Sequence, residues 1–327
     1  MTTYNGSAVA MDPIMSQANQ SRRAGPHAAL LPCLPQVSTN AGGGAGAART
    51  PLRALFWNTG DSASLAPIAD ARTVPVLLHG LGDGADIWRP VLDHWPGQAP
   101  PIMALDLPGH GGSGRLPEDK YRVPEIARVI AAALHHLRLE RVVLIGHSVG
   151  AGIALHLAGS GLMRPHGTIL IERSAEAVEQ ADAAVAKHVD GLIVGATDLD
   201  RLITYVRSQL PLADARATTE AITALARQAD TGWHLPIDPA VKRLLDRSAN
   251  GDGEWALLKA VQGPVAIVRG QYSSFLPLTI AERMAAMARS PVTVETITRS
   301  GHAISLEQPA ALAACLARQI ARFHGNC

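Results

Sequence analysis

From residue 52 onward, short unbroken apolar runs recur along the chain, each closed by glycine or a polar residue. Leu52 to Trp57 is the first, with a return through Asn58-Thr59-Gly60-Asp61. Val74 to Leu78 is followed by Gly80, Ile102 to Leu105 by Asp106, and Val142 to Ile145 by Gly146. Ile169 to Ile171 stops at Glu172, Val265 to Val268 at Arg269-Gly270, and Val292 to Ile297 is the last. Runs of this length without polar alternation predict strands buried on both faces. Helical spacing fills the gaps: residues 124–139 carry Ile126, Val129, Ile130, Ala133, Leu134 and Leu137, while 150–157, 278–288 and 309–323 are also helical in pattern. Strands alternating with helices predict a mostly parallel, doubly wound α/β sheet covered on both faces.

The alternation stops between Glu172 and Val265. Residues 175–189, 199–210, 218–229 and 239–248 read as helices with no strand between them. The expected organisation is therefore a core of residues 51–174 and 263–327, with residues 175–262 inserted as a helical cap. Residues 1–50 lack periodicity and end in Ala41-Gly42-Gly43-Gly44-Ala45-Gly46. Such a segment buries too little apolar area to offset its ordering entropy, so it is expected to be a disordered or loosely attached tail.

Composition narrows the ligand. Basic and acidic residues number 29 and 28, a formal charge of +1, which supplies no field for nucleic acid or an anionic membrane. The expected ligand is a small neutral or apolar molecule. Aromatics make up 4% of the chain, so Ala, Leu, Val and Ile must fill most of the core. Cys33, Cys315 and Cys327 form neither a disulfide framework nor a zinc spacing, and no cofactor or metal is expected. Reduced thiols and the lack of a long apolar run favour a cytoplasmic protein. Arg22-Arg23 before Ala28 to Leu34 loosely resembles a twin-arginine export signal, although Pro26, Pro32 and Pro35 break it.

The chemistry centres on Gly146-His147-Ser148-Val149-Gly150, a G-x-S-x-G turn between a buried strand and a small-residue helix. A serine on that sharp turn is lifted clear of the backbone, and the flanking glycines let strand and helix approach. Ser148 is the candidate nucleophile. The helix that begins there aims its free N–H groups at the site, so Val149 N–H is one candidate oxyanion donor. His79-Gly80-Leu81-Gly82 follows an earlier strand, and Leu81 N–H is the candidate second donor. His302 lies just after the last strand, where the base of such a fold falls in chain order. Of the other histidines, His79 is expected to hold the oxyanion loop. His147 is expected to point away along the turn. Asp106 is expected to brace the Pro108-Gly109-His110-Gly111 turn, and Asp83 and Asp86 to cap the helix running to Trp95.

Together with Asp106-Leu107-Pro108-Gly109-His110-Gly111-Gly112-Ser113, these motifs resemble the α/β-hydrolase superfamily over roughly residues 52 to 325. The resemblance implies that fold and a cofactor-free serine hydrolase of the carboxylesterase or lactonase type. It also implies a triad acid after the strand that follows the cap, and there this chain has Ser273. A subset of the superfamily carries the acid one strand earlier, and Glu172 occupies that place. The resemblance therefore assigns Glu172 as the acid, the alternative being a strand-end carboxylate paired with Arg173 or Arg269. The expected substrate is a small, apolar or neutral ester or lactone, with Trp88, Trp233 and Phe275 as candidate pocket residues. Acyl transfer, cyclisation or thioester cleavage in a biosynthetic pathway stays open, as does a non-catalytic ligand-binding protein on the same fold.

Overall fold

The computed structural model describes residues 26–31, 50–59, 73–176, 179–246 and 253–325. Its strands are β1 (His27–Leu31), β2 (Leu52–Trp57), β3 (Val74–Leu78), β4 (Ile102–Leu105), β5 (Val142–His147), β6 (Gly167–Ile171), β7 (Arg227–Ala229), β8 (Gly232–His234), β9 (Val265–Gly270) and β10 (Val292–Ile297). The α-helices are α1 (Arg89–Asp93), α2 (Val123–His136), α3 (Val149–Gly159), α4 (Glu179–Val194), α5 (Leu199–Gln209), α6 (Ala215–Leu225), α7 (Glu254–Ala260), α8 (Leu278–Met287), α9 (Ile304–Glu307) and α10 (Pro309–Gly325).

Eight strands form one sheet in the order β1-β2-β4-β3-β5-β6-β9-β10. The pairs β1–β2 and β2–β4 are antiparallel, and the rest of the sheet is parallel. Every residue of β3, β4, β5, β6 and β9 is buried, as their unbroken apolar runs require. In the sheet register Leu78 stands beside Gly146, Gly146 beside Leu170, and Ile171 beside Val268. The carboxyl ends of β3, β5, β6 and β9 are therefore level, and the loops leaving them converge on one rim.

Close backbone approach is built into that rim. A methyl group on Gly150 would sit 2.3 Å from the Leu78 carbonyl oxygen, and one on Gly146 would sit 2.3 Å from the Gly150 carbonyl oxygen. Only backbone lies opposite, so nothing flexible can yield. Gly150→Ala is expected to cost about 3 kcal/mol, the upper range for overpacking, measured as a shift in the urea midpoint.

Three expectations change. Residues 27–31, read as part of an unstructured tail, form an edge strand whose partner is β2. His27 Nε2 pairs with Thr59 Oγ1 at 2.6 Å. The strand is short and half exposed; its order comes from the open backbone edge of β2, which a local pattern does not display. Apart from Pro26 and Thr50, the rest of the proposed tail lies outside the described residues. Second, the insertion is not purely helical: β7 and β8 form an antiparallel hairpin, and residues 239–245 form a 3₁₀ helix. Third, the insertion holds a helix that the pattern did not mark: α7 begins at Glu254, and Arg173, just after β6, pairs with it. Among the described residues no helix is long and apolar enough to cross a membrane.

The insertion sits over the loop after β3. A methyl group on Gly82 would meet Val189 at 2.9 Å and Leu192 at 3.3 Å, both from α4. On Gly84 it would meet Leu225 of α6 at 2.6 Å. Gly111 N–H donates to Pro236 O, and Asp238 N–H donates to Gly109 O. The surface that covers the rim is thus apolar and fastened by backbone hydrogen bonds.

Candidate active site

Ser148 joins β5 to α3 at φ 52° and ψ −116°, a conformation a non-glycine residue adopts only when its surroundings enforce it. Its N–H donates to Ile171 O at 2.9 Å, and its carbonyl accepts the first helical bonds from Ala151 and Gly152. The turn is therefore held by the neighbouring strand on one side and by the helix on the other. Gly150 packs against Leu78 O and His79 O, which brings the start of α3 onto the loop carrying Leu81. Both proposed oxyanion amides, Leu81 and Val149, belong to this junction, and both residues are buried.

Glu172 follows β6 with φ 55° and is 2% exposed. Its N–H donates to Val268 O. Its Oε1 accepts from Gly270 N–H at 2.7 Å, and its Oε2 lies 3.0 Å from His302 Nδ1. Neither arginine offered as an alternative partner is engaged with it: Arg173 bonds Glu254, and Arg269 Nε donates to Leu276 O. Ser273, at the position where the acid was first expected, donates its hydroxyl to Glu172 Oε2 at 2.5 Å. With Nδ1–H given to the carboxylate, His302 keeps its Nε2 lone pair for a proton.

Not every expected residue falls into place. His147 does not point away: its Nε2–H donates to the His302 carbonyl at 2.8 Å, and the two rings are 4.8 Å apart. It ties the loop of His302 to the turn of Ser148. The reason is register: β5 runs one residue past Gly146, and its last side chain faces the neighbouring loop. Trp88 is fully buried in the core and its indole N–H has no partner among the described residues, so it lines no substrate pocket. Trp233 sits on β8, half-buried, its backbone paired with Ala196. Phe275 reaches the site, stacked on His302 with centroids 3.8 Å apart and planes inclined by 24°. Asp83 and Asp86 cap nothing. Ala85 N–H donates instead to Asp106 Oδ1, and Asp86 pairs with Arg53 and Arg89. Asp106 also accepts from Gly112 N–H, bracing its turn as expected. Glu307, which no sequence signal marked, accepts from Gly301 N–H beside His302, and burial pushes its carboxyl up.

Three buried histidines hold the loops around the site. His79 donates from Nδ1 to Gly80 O and accepts Leu107 N–H at Nε2, as its structural reading anticipated. His110 accepts Gly82 N–H. Burial pushes His79 down to about 4, and His110 and His147 down to about 3, aided for the last two by the neighbouring histidines. Each is neutral in the fold and protonates first in the unfolded chain, near 6.5. The unfolded state therefore binds more protons below that pH, and stability falls as pH falls. Between pH 6.5 and 5.5 the three together are expected to remove about 3 kcal/mol, read by urea unfolding at each pH. Asp83, half-buried on the loop after β3, is pushed up to about 6 by burial, while His302 and a hydrogen bond with the Gly80 backbone draw it back.

The described residues contain no cluster of three or more His, Cys, Asp or Glu able to hold a metal ion. A strained serine, a histidine paired with a buried carboxylate and two backbone amides on one rim form a constellation suited to acyl transfer. Residues 76–315 match the model of the alpha/beta hydrolase family, and the chain belongs to that family. Esterase Rv0045c of Mycobacterium tuberculosis is 24% identical over 243 residues, spanning 72% of this chain and 79% of the esterase. The 2-succinyl-6-hydroxy-2,4-cyclohexadiene-1-carboxylate synthase of Klebsiella pneumoniae is 25% identical over 75% of this chain and 93% of its own length. Among solved structures, E-2-(acetamidomethylene)succinate hydrolase superimposes with a TM-score of 0.70 at 20% identity, covering 83% of this chain and 96% of that one.

Proposed function

We propose that the chain is a serine hydrolase that cleaves a small, largely apolar or neutral carboxylic ester or lactone through an acyl-enzyme on Ser148. The observation that carries this reading is the 3.0 Å contact between His302 Nδ1 and the buried Glu172 carboxylate, on the rim that holds the strained Ser148 turn. In the proposed cycle His302 Nε2 takes the Ser148 proton as Oγ attacks the carbonyl carbon. The amides of Leu81 and Val149 receive the negative oxygen, and each is expected to lower the barrier by roughly 3 kcal/mol. The imidazolium then gives its proton to the departing alkoxide. Water, deprotonated by His302, attacks the acyl-enzyme and releases the acid and free serine.

The apolar cover formed by Val189, Leu192 and Leu225 supports an uncharged acyl group. Similarity to an esterase supports ester cleavage over other chemistry of the fold. Similarity to a synthase over nearly its full length supports a second reading, in which the same site serves a non-hydrolytic step. A fluorophosphonate probe is expected to label Ser148 stoichiometrically, with the modified peptide found by mass spectrometry. Turnover of p-nitrophenyl esters and lactones with added alcohol then separates the readings: free acid alone supports hydrolysis, and a new ester supports transfer. No labelling and no turnover would defeat both.

A further inference from the structure

The loop between β9 and α8, residues 271–276, carries no acid, yet it touches both members of the Glu172–His302 pair. Ser273 Oγ accepts two backbone N–H groups, from Phe275 at 3.1 Å and Leu276 at 2.9 Å. With those bonds in place its own proton has one productive direction, and it goes to Glu172 Oε2. The same hydroxyl therefore orients the carboxylate and anchors the backbone of Phe275. The loop is pinned at its far end by Arg269 Nε, which donates to Leu276 O at 2.8 Å. From that anchor the Phe275 ring lies flat on the imidazole of His302.

The geometry points to this loop as a clamp on the catalytic pair, in which Ser273 sets the Glu172 carboxylate and Phe275 holds the His302 ring and favours its protonated form. The inference rests on the hydrolase reading above. An aromatic face within stacking distance attracts a cation, and His302 becomes a cation whenever Ser148 gives up its proton. A flat contact also restricts rotation about the bond that Nδ1 needs to keep facing Glu172. Both residues are positioning residues: they act through acid and base and need not touch substrate. The charged and titratable groups facing His302 are Glu172 from the end of β6, His147 from β5, Asp83 from the oxyanion loop and Glu307 from α9. Burial pushes the Asp83 carboxyl up to about 6. The imidazole must therefore be followed directly and not through the rate alone.

The test compares Phe275→Leu and Phe275→Trp with the wild-type chain, following the His302 imidazole by heteronuclear NMR across pH and measuring kcat and KM on a p-nitrophenyl ester. Leucine keeps the apolar cover and removes the aromatic face. The His302 titration midpoint is expected to move to lower pH by roughly half to one unit in Phe275→Leu. The kcat value should fall about tenfold with KM nearly unchanged, and Phe275→Trp should restore both. Ser273→Ala should lower kcat to a similar degree, with Ser273→Thr restoring it. An unmoved midpoint in Phe275→Leu, or a loss of kcat that tryptophan does not recover, would overturn the clamp. The NMR arm needs no turnover. A shifted midpoint in a protein whose Ser148→Ala variant stays fully active would sink the hydrolase reading and leave the contact standing.

Discussion

Ser148→Ala is expected to lower kcat for ester hydrolysis by roughly 10⁵ to 10⁶-fold, down to what the remaining site can do with water alone. The size follows from the proposed mechanism. Without Oγ no acyl-enzyme can form, and His302 and Glu172 have no proton to move. Any residual rate would come from the Leu81 and Val149 amides and from substrate binding. Removing one hydroxyl from the turn should leave the fold intact, since the turn is held by Ser148 backbone bonds to Ile171, Ala151 and Gly152. Alanine has the same reluctance for positive φ as serine, so the strain is unchanged. The check is pre-steady-state kinetics with a p-nitrophenyl ester: wild type should show an acylation burst and the variant none. A variant retaining more than a percent of wild-type kcat would remove Ser148 from the mechanism.

Glu172→Gln should produce the second largest effect, a fall in kcat of roughly 10³ to 10⁴-fold. Three donors converge on this carboxylate: Gly270 N–H, the Ser273 hydroxyl and His302 Nδ1–H. Glutamine has the same shape but offers only one oxygen, and its amide must face at least one of those donors. If the amide faces His302, the ring takes the opposite tautomer, with its proton on Nε2 and no lone pair for Ser148. If it faces Gly270, a buried N–H loses its acceptor, at about 1 to 3 kcal/mol of stability. Activity and urea unfolding measured together distinguish the two outcomes. A Glu172→Gln enzyme within tenfold of wild type would mean that another carboxylate serves His302, and Glu307, on Gly301 beside it, would be the one to examine.

Much of this arrangement is legible along the chain because it depends on neighbours in sequence. The buried strands, the turn at Ser148 and the glycines that admit it are local features, and each carries its own pattern. The readings of Ser148 and His302 rest on motif and chain order, and that of Glu172 on the resemblance to hydrolases that carry the acid after this strand. What failed was of another kind. Trp88 looked like a pocket residue because bulk and polarity cannot tell a core indole from a lining one. Ala85 N–H finds its acceptor in Asp106, from another loop, where a cap from Asp83 or Asp86 seemed nearer in sequence. Strand β1 exists because β2 has an open edge to offer. The hairpin of β7 and β8 has strands of three residues, one exposed and one half-buried, too short to show the apolar alternation by which strands are read.

By itself the sequence determined the class of fold, the position of the strand-to-helix turn at Ser148 and the residue types that share the rim. Periodicity and steric demand act within a few residues and leave a trace there. Only the tertiary structure decided which groups complete one another. It set Ser273 against Glu172, Phe275 against His302, and His147 across to the His302 carbonyl, each pair separated in the chain by between 27 and 155 residues. Such pairings depend on level strand ends and on the directions in which loops leave them. Those follow from the packing of the whole sheet, to which no single segment holds the key.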